Sequence, residues 1–190
     1  MGKTFILGGK LNLGFKRPSL WDRQTKVRAK KTLNFIDEAK GDILDVGGAN
    51  ELGRWVAKEL DLNYYATNCD LDYDFDVNKK YDTMFCFEVL EHLFNPLFCL
   101  NNMVKYLKDD GIIYISIPKR LPHFLCGKNH FHEFDKQRFE YLLENAGLRI
   151  VKQSKFNSRY DWGFYFTGIR PILRLLFFKP ISRIYKCVKY

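Results

Sequence analysis

The order of strand-like and helix-like segments between residues 41 and 167 predicts an α/β protein, a three-layer Rossmann-like sandwich around a mostly parallel sheet. Three observations carry this. Short apolar runs stop at glycine or proline, as Gly41–Val46 does before Gly47-Gly48 and Ile112–Ile117 does before Pro118, which is the pattern of buried strands. Helical periodicities fill the intervals between them. Leu148–Phe156 and Trp162–Thr167 then follow one another with no helix between, which suits an antiparallel pair closing the sheet.

The elements follow in order. Pro18 and Ser19 open a first helix near 20–38, with Ser19 as N-cap and Asp22 three residues on; Trp21, Thr25, Ala29, Leu33 and Ile36 recur at helical spacing. After the strand Gly41–Val46, Asn50 caps a helix whose inner face is Leu52, Trp55, Val56 and Leu60. Leu62–Thr67 is a second strand. Residues 68–80 are irregular and acidic, with Asp70, Asp72, Asp74 and Asp76 spaced by two. Tyr81–Phe87 is a third strand. Asn95-Pro96 starts a helix, since Asn caps and Pro fits the first helical position; Gly111 ends it. Asp135 caps a last helix carrying Phe139, Leu142, Leu143 and Ala146, with Gly147 as its stop.

At 190 residues, 46% apolar and 16% aromatic, the chain can fill one core, and two conventional domains would be cramped. It divides into a basic helical segment (1–40), a central domain (41–168) and a basic tail (169–190). Ten Lys/Arg against three acids give residues 1–40 a charge of +7; residues 41–151 carry −6 and residues 152–190 carry +8. Such flanks suit a phosphate-bearing partner or simply solubility. Ile181, Ile184, Tyr185 and Val188 stand at i, i+3, i+4 and i+7, with Arg183, Lys186 and Lys189 on the other face. This predicts a basic amphipathic helix, suited to an anionic membrane surface or to packing on protein. No apolar run reaches membrane-spanning length and no leader pattern is visible, so the expectation is a cytoplasmic protein, peripheral to a membrane if the tail binds one. The five cysteines show no CxxC spacing and are odd in number, which argues for reduced thiols and against a zinc site; no metal ligands are assigned.

In sheets of this kind ligands bind beyond the carboxyl ends of the strands, where strand order reverses. That directs attention to the turns after Val46, Thr67, Phe87 and Pro118. The first, Asp45-Val46-Gly47-Gly48-Ala49-Asn50, lets a ligand approach the backbone and fits a nicotinamide-dinucleotide fingerprint poorly. Within reach of the same end lie His92, and His130, His132 and Glu133 before the last helix, groups able to take a proton from a hydroxyl or amine. Cys86 lacks the preceding proline of a cytosine-carbon methylase, and FCFE is not the Asn/Asp-Pro-Pro-aromatic run of the amino-base methylases.

Taken together, DILDVGGANELG, YDTMFCFEVLEHLFNPL, LKDDGIIYISIP and HEFDKQRFEYLLENAGLRIV, in that order, resemble the class I S-adenosylmethionine-dependent methyltransferases, particularly their small type-11/12-like domains, over about residues 40–155. The resemblance implies a seven-stranded sheet with an antiparallel last strand and S-adenosylmethionine as methyl donor. It implies that Asp45, Gly47, Gly48 and Ala49 form the loop on the methionine half of the cofactor. It implies a ribose-binding acid at the end of the second strand, for which Asp70 and Asp72 are candidates, with Asn68 nearest the strand end. Phe87 and Glu88 face cofactor and substrate, and His92, His132 and Glu133 are candidate catalytic groups. Ala49 stands where the family has its second glycine, and the interval from Asp45 to Asp82 is too short for the family's usual extra helix and strand; the middle is shortened, with the Asp70–Asp76 run in its place.

The expected activity is methyl transfer to oxygen or nitrogen of a small molecule, a glycan or a lipid-linked intermediate. The rival expectations are a methyltransferase-like binding scaffold without catalysis, and an RNA ribose or cap methyltransferase. Nucleic acid is the less favoured partner, since no RNA-binding module is visible.

Overall fold

The structure is a computed structural model and describes residues 7–8, 23–119, 129–157 and 181–190. Among the described residues seven strands make one sheet: β1 (Leu7–Gly8), β2 (Asp42–Asp45), β3 (Asn63–Ala66), β4 (Tyr81–Phe87), β5 (Leu107–Pro118), β6 (Leu148–Asn157) and β7 (Ile181–Lys189), in the order β1-β3-β2-β4-β5-β7-β6. From β3 to β5 all neighbours are parallel; β7 is antiparallel to both β5 and β6. Among the described residues the helices are α1 (Arg23–Phe35), α2 (Glu51–Glu59), α3 (Pro96–Tyr106) and α4 (Lys136–Asn145), with a 3-10 turn at Leu90–His92.

Two apolar clusters cover the two faces. Ala29 and Phe35 of α1 and Leu52, Val56 and Ala57 of α2 pack on Ile43, Phe85, Tyr114 and Ile184. Leu100 and Met103 of α3 and Phe139 and Leu143 of α4 pack on Leu44, Met84, Ile113, Ile115 and Tyr185. Strands buried on both faces read as continuous apolar runs, which is why β2, β4 and β5 were legible from sequence. The helix caps are those expected: Asn50 accepts from the Gly53 N–H at 2.7 Å, Asn95 from Phe98 at 3.1 Å and Asp135 from Arg138 at 2.9 Å. Ser19, Trp21 and Asp22, read as the opening of α1, lie outside the described residues.

Two expectations are corrected. First, α3 ends at Tyr106 rather than near Gly111, because Leu107 turns into extended backbone, is fully buried and pairs with Tyr81 as the first residue of β5. Second, the closing strand is residues 181–189. Trp162–Thr167, read as that strand, lies outside the described residues. The tail's i, i+3, i+4, i+7 pattern is instead a strand buried on both faces: Ile184 enters one cluster, Tyr185 and Cys187 the other. Lys186 is tolerated at 5% exposure because it donates to Asp37 (2.8 Å) and Glu38, and Lys189 pairs with Asp109. The apolar stripe that argued for a membrane surface is therefore spent inside the sheet, which extends past residue 168. Among the described residues no helix is long and apolar enough to cross a membrane. The shortened middle is as expected: among the described residues no parallel strand lies beyond β3, and the N-terminal pair Leu7–Gly8 takes that edge, antiparallel to Tyr65–Ala66.

Candidate functional site

Strand order reverses at β2, whose neighbours are β3 on one side and β4 on the other. Beyond their carboxyl ends a cleft of about 380 Å³ opens, lined by Gly47 and Gly48, by Thr67–Leu71, and by Glu88, Val89, His92 and Leu93. Each group belongs to the turn after a different strand.

The two glycines have different reasons. Gly47 has φ 122°, its N–H donates to Thr67 Oγ1 at 3.1 Å, and a Cβ there would meet Val89 Cγ2 at 2.3 Å. Gly48 has φ 91°, and a Cβ there would meet nothing nearer than the Thr67 carbonyl at 3.8 Å. Gly48 is thus the residue whose missing side chain leaves the cleft open, whereas Gly47 is excluded from substitution by the Val89 wall. Ala49 does not line the cleft; it packs with the α1–α2 cluster, so the position read as a departure from a glycine pattern faces the core.

Asp45 is not on the cleft wall either. It is fully buried beneath the turn, where Oδ2 accepts from Tyr64 Oη at 2.6 Å and from Asn50 Nδ2 at 2.7 Å. Oδ1 has no hydrogen-bond partner among the described residues. Burial lifts the Asp45 pKa to about 8 against the opposing hydrogen bonds from Tyr64 and Asn50. A Cβ on Gly53 would lie 2.1 Å from Asp45 Oδ2, so the glycine in α2 is what lets helix and carboxyl meet. Asp45 thus pins the turn to α2 and β3 and shapes the cleft from below.

Beyond β3, Asn68 and Asp70 line the cleft and both are exposed. Asp72 does not line it: its two carboxylate oxygens accept from the backbone N–H groups of Asn95 (2.7 Å) and Phe94 (3.0 Å), tying the acidic loop to the start of α3. Of the two acids read as ribose ligands, Asp70 is the one at the cleft, and its Oδ1 accepts from the Asp72 N–H at 3.0 Å.

Beyond β4, Phe87 is buried and stacks on Phe85 at 5.0 Å on the α1–α2 side, away from the cleft. Glu88 does line it, with φ 55°, an unfavourable backbone for a side-chain-bearing residue. Its conformation is held from three elements: its N–H donates to Ser116 O at 2.9 Å, Ser182 Oγ of β7 donates to Oε1 at 2.8 Å, and Arg28 of α1 pairs with Oε2. The 3-10 turn then sets Glu91 and His92 side by side. Glu91 is 1% exposed, its Oε2 has no hydrogen-bond partner among the described residues, and burial raises its pKa to about 8. His92 lines the cleft, half-buried, with Nδ1 2.8 Å from Asn129 O.

Of the other candidate catalytic residues, His132 is placed off the cleft: Nε2 lies 3.3 Å from Phe94 O and the ring stacks on Phe134. Glu133 also lies off it, with Oε1 3.3 Å from His130 Nδ1, and the His130 ring meets that of His92 at 4.8 Å. Sequence reasoning did not single out Arg28, Thr67, Ser182 or Glu91. Thr67 was legible as the last residue of a strand run; Arg28 and Ser182 carry no local signal, because they reach Glu88 from 60 and 94 residues away.

A family model described as a methyltransferase domain matches residues 20–153. The ubiquinone biosynthesis O-methyltransferase of Rickettsia typhi is 26% identical over 123 residues, covering 55% of this chain and 49% of that protein. The chain thus spans about half the length of the curated relatives it matches. Among solved structures, a putative methyltransferase from Bacillus halodurans superposes with a TM-score of 0.58 at 11% identity, over 85% of this chain and 98% of that one. A phosphoethanolamine N-methyltransferase 2 of Haemonchus contortus, in complex with phosphomonomethylethanolamine and S-adenosylhomocysteine, gives 0.57 at 14%, over 86% and 52%. The match over residues 20–153 and the open sheet with its antiparallel β7 lead to one assignment: the chain belongs to the methyltransferase-domain family, whose methyl donor is S-adenosylmethionine.

Proposed function

We propose that this protein transfers a methyl group from S-adenosylmethionine to an oxygen of a small acceptor. The observation that carries the reading is the cleft at the carboxyl ends of β2, β3 and β4, with Gly48 opening it and Glu88 and His92 on its far wall. The residues present suit the cofactor. Gly47 and Gly48 leave room along the backbone for its methionine half, and Asn68 and Asp70, at the tip of β3, offer acceptors for ribose hydroxyls. Bound there, the cofactor supplies an electrophilic methyl group that needs an aligned nucleophile and little else.

The chain's part is therefore positional and acid–base. Glu88, immobilised by Arg28, Ser182 and the Ser116 carbonyl, is a fixed negative charge on the wall. His92 faces a carbonyl through Nδ1, and opposite a carbonyl a ring nitrogen can only donate. That leaves Nε2 of the neutral ring with a lone pair, the acceptor needed for the proton of a substrate hydroxyl. Oxygen is preferred over nitrogen because the curated relatives are named as O-methyltransferases; an amine acceptor is the alternative, and a glycan or lipid-linked hydroxyl is a narrower variant of the same reading.

The test is to incubate the full chain with S-adenosylmethionine and a panel of catechols, simple phenols and phosphoethanolamine, following S-adenosylhomocysteine production. Turnover of a hydroxyl acceptor, lost in His92→Ala while S-adenosylhomocysteine still binds, is expected. Turnover of phosphoethanolamine alone would move the acceptor to nitrogen. Failure of the chain to bind S-adenosylhomocysteine at all would overturn the reading in favour of a scaffold.

A further inference from the structure

The cleft wall after β4 carries a second constellation. The 3-10 turn sets Glu91 beside His92, and the segment 129–135 is clipped onto that turn by two hydrogen bonds: the N–H groups of Phe131 and His132 donate to Glu91 O at 2.9 and 3.1 Å. The clip brings His130 onto His92. One oxygen of Glu91, one nitrogen of His92 and one nitrogen of His130 consequently lie within 4.8 Å of one another.

Each donor is prepared for a cation. Glu91 keeps a side chain only 2% exposed with Oε2 lacking a hydrogen-bond partner among the described residues, a costly arrangement for a carboxylate unless it holds a proton or gives that proton up to a cation. His92 has Nδ1 held by the Asn129 carbonyl, which fixes the tautomer and leaves Nε2 as a donor atom 3.9 Å from Glu91 Oε1. Glu133 stands 3.3 Å from His130 Nδ1, the carboxylate–imidazole pairing that orients a ligating ring and raises its basicity. Glu88, three residues earlier, is committed to Arg28 and Ser182 and does not belong to the set.

We propose that Glu91, His92 and His130 form a binding site for a divalent transition-metal ion of the zinc class, with a coordination position left open at the methyl-acceptor cleft. Two imidazoles and a carboxylate are borderline ligands that suit zinc, and cobalt in its place, better than magnesium or calcium. Donor atoms around a tetrahedral zinc stand roughly 3.3 Å apart, so closure asks for shifts of about an ångström in side chains that rotate about single bonds. His92 lines the cleft, so the open position is adjacent to the acceptor. The inference rests on the methyl-transfer reading for its purpose: His92 then serves as a ligand, and a bound ion would lower the pKa of a coordinated acceptor hydroxyl so that its proton passes to solvent water, after which the oxygen would take the methyl group as the sulfur–methyl bond breaks and S-adenosylhomocysteine leaves.

The full chain, stripped with chelator and returned to buffer, would be titrated with Zn²⁺ by calorimetry and with Co²⁺ by visible absorption. One ion per chain is expected, with the absorption of a four- or five-coordinate Co²⁺ site. His130→Ala should weaken binding at least tenfold and bleach that spectrum, while His132→Ala, whose imidazole sits on Phe94 O, should change neither. S-adenosylhomocysteine binding should be intact in both, since neither residue lines the cleft. Glu91→Gln is informative only if it melts like the parent; His130→Ala decides the matter without it. No stoichiometric binding by the folded parent, or binding indifferent to His130→Ala, overturns the metal site. Metal binding without S-adenosylhomocysteine binding would instead remove the methyl-transfer reading and leave the metal site standing.

Discussion

The two walls of the cleft are built on opposite principles. The wall after β3 is short and exposed: β3 has four residues, its outer neighbour β1 has two, and Asn68 and Asp70 stand at the surface. The wall after β4 is rigid and buried: β4 has seven residues, of which Thr83–Phe87 are all buried, and Glu88 is tied to α1, β5 and β7 at once. The shortened middle of the chain removes scaffold from the first wall only. What remains there can recognise a ligand by adaptable hydrogen bonds, whereas the groups able to move a proton or hold an ion sit where their geometry is fixed by distant elements.

The largest expected effect strikes the floor between the walls. Gly48→Leu would put a side chain into the open cleft from a backbone at φ 91°. S-adenosylhomocysteine affinity should fall by about a hundredfold or more, roughly 2.7 kcal/mol. If calorimetry on a folded Gly48→Leu variant gave the parent's affinity, the two walls would not enclose the cofactor.

Next comes the anchor beneath the turn. Alanine for glycine ordinarily stabilises a helix interior, but Gly53→Ala would drive a methyl into Asp45 Oδ2. Stability should drop by roughly 1–3 kcal/mol, read as a lower urea midpoint. A more stable variant would show that α2 is not pinned through Asp45.

Asp45 also sets a pH dependence. Its pKa is raised by burial to about 8, above the ordinary 3.8, so the folded state holds a proton that the unfolded chain releases. The contribution is complete below about pH 4 and is lost as the pH rises through 8, at up to about 1.4 kcal/mol per unit. Asp45→Asn cannot ionise, so the variant should gain on the parent between pH 5 and 8 in denaturant melts; parallel curves would place the ionisation elsewhere.

The smallest effects separate the two acids of the first wall. Asp72→Ala removes the acceptor for two backbone N–H groups and should cost stability, roughly 1–3 kcal/mol, with cofactor affinity little changed. Asp70→Ala should do the reverse. Equal effects on both readouts would mean that the acidic loop acts as one unit.

The same contrast explains what the sequence disclosed. Strands buried on both faces, the Asn50, Asn95 and Asp135 caps and the Gly47-Gly48 turn are local signals, and they located the cleft. The tail misled because Ile181, Ile184, Tyr185 and Val188 satisfy a helical spacing as well as a strand's alternation, and the cue that decides, Lys186 meeting Asp37 and Glu38, spans some 150 residues of chain. Asp72 and Asp70 look alike in an every-second-residue acidic run; only the position of α3's first turn tells them apart. His132 and His130 are equally anonymous until the Glu91 carbonyl fixes which of them faces His92.

The most direct measurement is a crystal structure of the chain with S-adenosylhomocysteine. The expected result is the product in the cleft between Gly48 and His92, its adenosine end toward Asn68 and Asp70 and its sulfur toward Glu88 and His92. Product bound at another place on the sheet, or a closed and empty cleft in crystals grown with the ligand in excess, would contradict the assignment of this cleft as the site of methyl transfer.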